Sequence, residues 1–307
     1  MENIRTDLAI EAHEMCSKKK AEETEVQGVI VSEEKREGAF VTIIDVKSKK
    51  GEEELGKPMG RYVTIEAPQI KFSDEAAESA SKVIAEQIRG LCNIKNDTKT
   101  LVVGLGNDMI TPDALGPEVV SRLMVTNHIK TYMQELLDES FSSVCALVPG
   151  VLGTTGIETT DIIKGVADRI NPEIVICVDA FATRSVNRIS TTVQISDTGI
   201  CPGSGVENKR KEISQKNIGK KVISIGVPTV CDAVTIASDT IDAALDTNDD
   251  FKNMYGTEER RSVIKKALLG SEKNMMVTPK DIDLVIKRAA KVVADGINLA
   301  LHNTVDF

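Results

Sequence analysis

The chain has 307 residues, which is long enough for one large domain or two small ones with a buried core. Aromatic residues make up only 3% of it and tryptophan is absent, which disfavours a stacking surface for bases or sugars. Its 47 acidic residues outnumber the 38 basic ones and give a net charge of −9, which argues against direct binding of nucleic acid.

The cysteine pattern and the hydropathy of the chain indicate its compartment. The six cysteines form no CxxC pair, which is typical of a protein from a reducing, intracellular compartment. The N-terminus is charged and no apolar run reaches the length of a membrane span. The sequence therefore predicts a cytoplasmic protein without a membrane partner.

The first hundred residues alternate short β-rich runs with charged turns, such as the one at 49–52. This pattern predicts a small antiparallel β meander. The runs predicted as strands are 28–31, 39–47 and 61–66. Helices with an apolar stripe are predicted on either side of these strands, at 9–20 and 73–91.

From residue 100 onward, apolar runs alternate with helical stretches, which predicts a mostly parallel sheet with helices on both faces. The predicted strands are 101–103, 144–148, 174–178, 191–195 and 222–226. The predicted helices are 113–126, 158–170, 230–245, 258–269 and 280–301. The polar, acidic stretch 248–256 is the expected flexible connection. The predicted fold class is α/β, with the N-terminal meander as an addition.

Residues 100–117 contain the first candidate catalytic side chain. An apolar run ends at Gly104, and Gly106 allows the backbone to turn tightly or to approach another group closely. Pro112 marks the start of a helix, so Asp113 is predicted at the carboxyl edge of the sheet, where open α/β folds bind their ligands. The alternative is that Asp113 only caps this helix.

Loops after four other predicted strands supply the rest of the candidate site. They are 149–156, 179–185, 196–205 and 227–232. If all the strands are parallel, these loops meet at one edge, and Asp179 faces the same cleft as Asp113. Two close carboxyl groups cannot both ionise freely, so one can activate water while the other donates a proton to a developing oxyanion.

Other kinds of site have weaker support in the sequence. Met109 stands where a dinucleotide fingerprint needs its third glycine, and no GxSxG nucleophile elbow is present. His13, His128 and His302 are scattered, so we expect no metal centre built from histidine or cysteine, although the two aspartates leave a carboxylate-rich metal site open. Cys231 is either a reactive thiol at a helix N-terminus or a small buried residue.

Long motifs throughout the chain resemble the germination protease family of endospore-forming bacteria. The stretches that carry the resemblance are 5–12, 60–64, 104–107, 111–117, 148–151, 156–159, 178–180, 197–200, 202–206, 208–213, 226–229 and 276–280. They extend over nearly the whole chain, although the region around 245–260 is shorter than in the family members. The rival hypothesis is a non-catalytic α/β protein that binds a small ligand or a peptide at the same edge.

The resemblance implies an endopeptidase that begins the degradation of small acid-soluble spore proteins during germination, in the forespore and spore core. It implies a homotetramer, and a fold related to the hydrogenase maturation endopeptidases, which bind nickel through acidic residues. It further implies that Asp113 and Asp179 act as an atypical aspartic-type catalytic pair without metal or other cofactor. Residues 8–307 would form a single peptidase domain, with 8–99 as an elaboration of an α/β core at 100–307.

The resemblance also implies a zymogen, in which residues 1–7 are a propeptide that the enzyme removes from itself between Asp7 and Leu8. The sequence around this bond, TDLAIEA, is similar to the family's substrate motif. A polar terminal segment is where proteolysis is easiest, because little buried backbone must be opened. The alternative is a plain N-terminal helix preceded by a frayed leader.

Overall fold

The strands of the protein form a single mixed sheet in the computed structural model, which describes residues 6–19, 26–95, 97–137, 140–203, 210–245, 263–264, 266–267 and 275–302. The strands are β1 (Val29–Arg36), β2 (Ala39–Val46), β3 (Gly60–Glu66), β4 (Lys99–Gly104), β5 (Ser143–Leu147), β6 (Ile174–Thr183), β7 (Thr192–Ser196), β8 (Lys221–Asp232) and β9 (Met276–Val277). The helices are α1 (Ala9–Lys19), α2 (Lys49–Leu55), α3 (Asp74–Leu91), α4 (Leu115–Val120), α5 (Asn127–Tyr132), α6 (Leu152–Thr155), α7 (Thr159–Ile170), α8 (Gln215–Ile218), α9 (Ala233–Leu245) and α10 (Ile282–Leu301).

The order of the strands across the sheet is β1-β2-β3-β7-β8-β6-β4-β5, and β9 pairs with the end of β8. Strands β8, β6, β4 and β5 are parallel to one another. The meander β1-β2-β3 is antiparallel, as predicted, and it continues the same sheet because β3 pairs with β7. The predicted α/β class is therefore confirmed, with the parallel arrangement confined to one half of the sheet.

Helices cover both faces of the sheet, as the apolar strands predicted. Along β4, Val102 faces a core formed with α3, α4 and α10, whereas Leu101 and Val103 face a second core formed with α1, α2 and α7. Successive residues of a strand point to opposite faces, so a strand that is apolar throughout needs cover on both sides. We call the α1 side the leader face.

The structure corrects four of the predicted elements. The loop expected after residue 178 does not exist there, because β6 continues to Thr183 and pairs with an equally extended β8 across a bulge between Phe181 and Ala182. The charged turn at 49–52 is helix α2, which Ser48 caps by accepting a hydrogen bond from the Gly51 N–H.

The third correction concerns β7, which is antiparallel to β8. The loop that begins after Ser196 therefore lies at the opposite edge of the sheet from the loops that follow β4 and β5. The helix predicted at 113–126 is also shorter, because α4 ends at Val120.

The other helices agree with the prediction within three residues at their starts, namely α1, α3, α7, α9 and α10. The predicted connection 248–256 lies outside the described residues. Of the predicted helix 258–269, only 263–264 and 266–267 are described, and they are helical. Within the described ranges, no helix combines the length and the apolar character needed to cross a bilayer.

Strand β4 and helix α4 approach each other so closely that only glycine fits at the contact. A β-carbon on Gly104 would lie 2.3 Å from the carbonyl oxygen of Gly116, and one on Gly116 would lie 2.2 Å from the carbonyl oxygen of Leu105. Such contacts are far inside van der Waals distance. This contact fixes where α4 starts, and thereby where the loop between β4 and α4 carries Asp113.

We predict that Gly104→Ala lowers the free energy of unfolding by roughly 1–3 kcal/mol, because the added methyl group must displace backbone of α4. Gly90→Ala is the matched control, because a β-carbon at this exposed position of α3 meets no atom within 4 Å. It should leave stability unchanged or raise it slightly. Urea unfolding of both variants tests the prediction, and equal midpoints would contradict it.

Candidate active site

Asp113 is held by a tightly folded loop that leaves the end of β4. Gly106 has a φ of +107°, a conformation that favours glycine, and the loop closes where the Asn107 N–H donates to the Asp113 carbonyl oxygen at 3.1 Å. The hydroxyl of Thr229 in β8 donates to the Pro112 carbonyl oxygen at 2.8 Å. The loop is thereby tied to β8, which lies two strands away from β4 in the sheet. Asp113 is thus placed at the carboxyl edge of the sheet.

Asp179 lies within β6, buried, on the leader face of the sheet. It is in register with Gly226 of β8, which in turn is in register with Gln194 of β7. Residues in register across a sheet point to the same face, so the side chains of Asp179 and Gln194 stand on either side of a glycine. The ring of Phe181 fills the space above Gly226, where a β-carbon would lie 2.0 Å from it.

The structure brings the two predicted aspartates together. Burial raises the pKa of Asp179 well above its usual value, and the nearby carboxyl groups of Asp113 and then Asp7 raise it further. Burial also raises the pKa of Asp113 to about 6, against the opposing effect of a backbone hydrogen bond from Asn107. Two coupled carboxyl groups of this kind hold one proton between them near neutral pH.

The other titratable candidates stand apart from this pair. Asp108 is exposed on the loop. Cys231 lies within β8 rather than at a helix N-terminus, and burial raises the pKa of its thiol to about 12, so the buried-residue interpretation is confirmed. Among the described residues, no three His, Cys, Asp or Glu side chains are grouped so that they could hold a metal ion.

The segment around the predicted cleavage point, residues 6–12, lies on the leader face beside Asp179. We call it the leader segment. The Asp7 N–H donates to the Ala182 carbonyl oxygen at 3.0 Å, and the Ala182 N–H donates to the Asp7 carboxylate at 2.8 Å. The end of β6, three residues beyond Asp179, therefore holds Asp7 directly.

The expectation of a frayed, accessible leader is wrong for the residues described here. Leu8 and Ala9 are completely buried, and Leu8 packs in the core that also contains Ile44 and Tyr62. Burying a leucine side chain is worth about 1.5–3 kcal/mol, which offsets part of the conformational entropy lost when this terminus is ordered. The apolar LAI run thus serves as core as well as helix start.

Glu11 anchors the leader segment at its other end. This carboxylate is 2% exposed and accepts hydrogen bonds from the Thr183 hydroxyl at 2.6 Å and from the Arg184 N–H at 2.8 Å. The Ser185 N–H and the Arg188 guanidinium also donate to it, at 3.1 and 3.3 Å. A buried carboxylate with this many donors is compensated for its lost hydration.

The sequence did not predict two further candidate site residues, Lys57 and Gln194, because they come from unrelated parts of the chain. Lys57, which follows α2, donates from Nζ to the Asp7 carbonyl oxygen at 2.8 Å. Gln194 of β7 donates to the same oxygen at 3.3 Å. The only signal for Gln194 is a polar residue within an apolar strand, and nothing in the local sequence distinguishes Lys57 from other lysines.

Comparison with known proteins identifies the family of this chain. The family model described as germination protease matches residues 9–250 and 250–307. A germination protease of Caldanaerobacter subterraneus subsp. tengcongensis is 47% identical, with 97% of this chain and 94% of the relative covered. Germination proteases of Clostridium tetani and Priestia megaterium are each 42% identical, with 99% of this chain covered and 97% and 95% of the relatives.

Matches of this identity over nearly complete chains are sufficient to assign a family. The candidate site lies within the matched region, since Asp113 and Asp179 both fall in residues 9–250. The rival hypothesis of a non-catalytic binding protein is therefore set aside. The chain belongs to the germination protease family, a family of peptidases.

Proposed function

We propose that this protein is an endopeptidase of the spore core that starts the degradation of small acid-soluble spore proteins at germination. We propose that Asp113 and Asp179 are its catalytic pair and that it is made as a zymogen, assembled as a homotetramer. The observation that carries the proposal is the buried carboxyl group of Asp179, whose pKa the nearby carboxyl groups of half-buried Asp113 and of Asp7 raise further. The family assignment supplies the biological setting.

The pair has the protonation states that peptide hydrolysis needs. Near neutral pH the Asp113 carboxyl, with a pKa of about 6, is ionised, while the more strongly shifted Asp179 keeps the shared proton. Asp113 then acts as the general base that takes a proton from water as the water attacks the peptide carbonyl carbon. Asp179 is the general acid of the same reaction.

The position of the leader segment supports self-processing between Asp7 and Leu8. Asp7 is bonded to Ala182, which is three residues from Asp179 in the same strand. The segment is held at both ends, by the Asp7–Ala182 pair and by Glu11. A substrate held on both sides of a bond beside the catalytic groups gains the advantage of proximity.

We predict that Asp113→Asn and Asp179→Asn each lower peptide hydrolysis by at least ~100-fold, because each removes one partner of an acid–base pair. Both variants should stay folded, since an amide of the same shape replaces each carboxyl group. Hydrolysis of a synthetic peptide with the sequence of residues 1–14 provides the measurement.

Asp108→Asn is the matched control, because it makes the same chemical change on the same loop at an exposed position. It should leave the rate within about twofold of the original. If either paired variant retained the unaltered rate, the assignment of the catalytic pair would be wrong.

We predict that kcat/KM for this peptide falls by about tenfold per pH unit below the pKa of Asp113, because its raised value of about 6 leaves the base protonated there. Hydrolysis should therefore be lost on the acid side of about pH 6, well above the ordinary pKa of an aspartate. A pH–rate profile of the folded protein tests this. A rate that stays constant down to the ordinary aspartate range would rule out Asp113 as the base.

We predict that the purified protein releases residues 1–7 on incubation and that the Asp179→Asn variant does not, because the leader segment lies beside that carboxyl group. Intact-mass measurement over time gives the cleaved bond and its rate. Mixing the variant with active protein separates cleavage within a chain from cleavage between chains. Cutting at another bond, or trimming of the variant on its own, would contradict the proposal.

A further inference from the structure

The Asp7 carbonyl oxygen, in the peptide bond to Leu8, is held by side chains from two separate elements. It accepts a hydrogen bond from the Lys57 ammonium group at 2.8 Å and another from the Gln194 side-chain amide at 3.3 Å. Lys57 also donates to the preceding carbonyl oxygen, that of Thr6, at 3.2 Å. A cation and a neutral donor thus converge on the carbonyl group of the proposed scissile bond.

Gln194 has a fixed orientation towards this bond. Its side-chain oxygen accepts from the Ala9 N–H at 2.6 Å, which leaves its NH₂ group facing the Asp7 carbonyl oxygen. The Gln194 side chain therefore forms hydrogen bonds to the backbone on both sides of Leu8. Gln194 is 4% exposed, so these bonds form in a site from which water is largely excluded.

Gln194 and Asp179 stand in one row across three strands on the leader face, with Gly226 and the overlying ring of Phe181 between them. Adjacent strands are about 4.8 Å apart, so the two backbones are roughly 10 Å from each other. Asp7 connects the two ends of this row, because its carbonyl oxygen accepts from Gln194 and its carboxyl group is near enough to Asp179 to raise the pKa of that residue.

Lys57 reaches this oxygen from a separate element. Helix α2 ends at Leu55, and Gly56 follows in the left-handed conformation with a φ of +68°. This turn directs the chain towards the leader segment. Lys57 is half-buried, so its ammonium charge acts in a medium less polar than water.

We propose that Lys57 and Gln194 form the oxyanion hole of this peptidase, an inference that rests on the proposed function. When water attacks the Asp7 carbonyl carbon, the carbonyl oxygen becomes an anion that Lys57 and Gln194 stabilise. The water proton passes to Asp113, and the C–N bond to Leu8 then breaks. The leaving nitrogen takes the proton of Asp179, which yields an amine on Leu8 and a carboxylic acid on Asp7. This acid loses its proton to solvent, and the proton on Asp113 returns to Asp179 to restore the pair.

The experiment is the first-order release of residues 1–7, followed by intact mass, in the full-length protein and its variants. Lys57→Met keeps the length of the side chain and removes the charged donor, so release should slow on the order of 100-fold. Gln194→Glu keeps the acceptor for Ala9 and replaces the donor with an anion, and it should slow release at least as much. Lys57→Arg retains a charged donor and should recover part of the rate.

Lys50→Met is the matched control, because Lys50 lies in α2 and donates to Gln27 instead of the leader segment. It should release residues 1–7 at the original rate. Amide hydrogen exchange of residues 6–12, measured on the same samples, separates catalysis from docking. In Lys57→Met these amides should remain protected, since the bonds from Asp7 to Ala182, from Ala9 to Gln194 and from Arg184 to Glu11 are still present.

A Lys57→Met rate within about threefold of the original would overturn the oxyanion hole, and so would a loss of rate matched by an equal loss of protection. Either result leaves the carboxyl pair intact as the catalytic centre. Failure of the unaltered protein to release residues 1–7 would instead reject the self-processing on which the inference rests. The three outcomes are distinguishable because each variant is compared with the unaltered chain.

Discussion

The electrostatic influence of half-buried Asp113 on the buried carboxyl group of Asp179 is the constraint on which the candidate site depends. Burial alone would drive each towards the neutral form, and their proximity prevents both from ionising together. Asp113 and Asp179 consequently have different affinities for one proton. The sheet supplies the burial of Asp179, and the close contact of Gly104 with Gly116 sets where Asp113 approaches it. A shift of β6 or of α4 would change how closely the two carboxyl groups approach each other.

In the leader segment too, each unfavourable contribution to stability is offset by a favourable one. Glu11 is buried, and its charge is balanced by donors from the end of β6 and the loop beyond it. Leu8 is buried in the core of the leader face, which offsets the entropy lost when a terminus is ordered. One surface therefore both stabilises the N-terminal helix and holds Asp7 near Asp179.

The N-terminal part of the chain contributes directly to the site. Helix α2 positions Lys57, and β3 joins the meander to the rest of the sheet through β7, the strand that carries Gln194. The proposed acid–base groups come from β6 and the loop after β4, and the proposed oxyanion donors come from β7 and the residues after α2. A hydrolytic centre needs both, because proton transfer and charge stabilisation act on different atoms of the same intermediate.

The sequence by itself determined the α/β class, the meander and most helices, because these depend on local patterns of apolar residues, glycine and proline. It also singled out Asp113 and Asp179 as candidate site residues. Only the tertiary structure decided the direction of β7, the extension of β6 and β8, and the burial of Leu8. These features arise from pairing between distant strands, as where Asp179 meets Gly226. The sequence did not predict Lys57 and Gln194, because their contacts also join distant parts of the chain. Their role comes from one carbonyl oxygen that lies 50 residues from Lys57 and 187 from Gln194 in the chain, and no local pattern records such a contact.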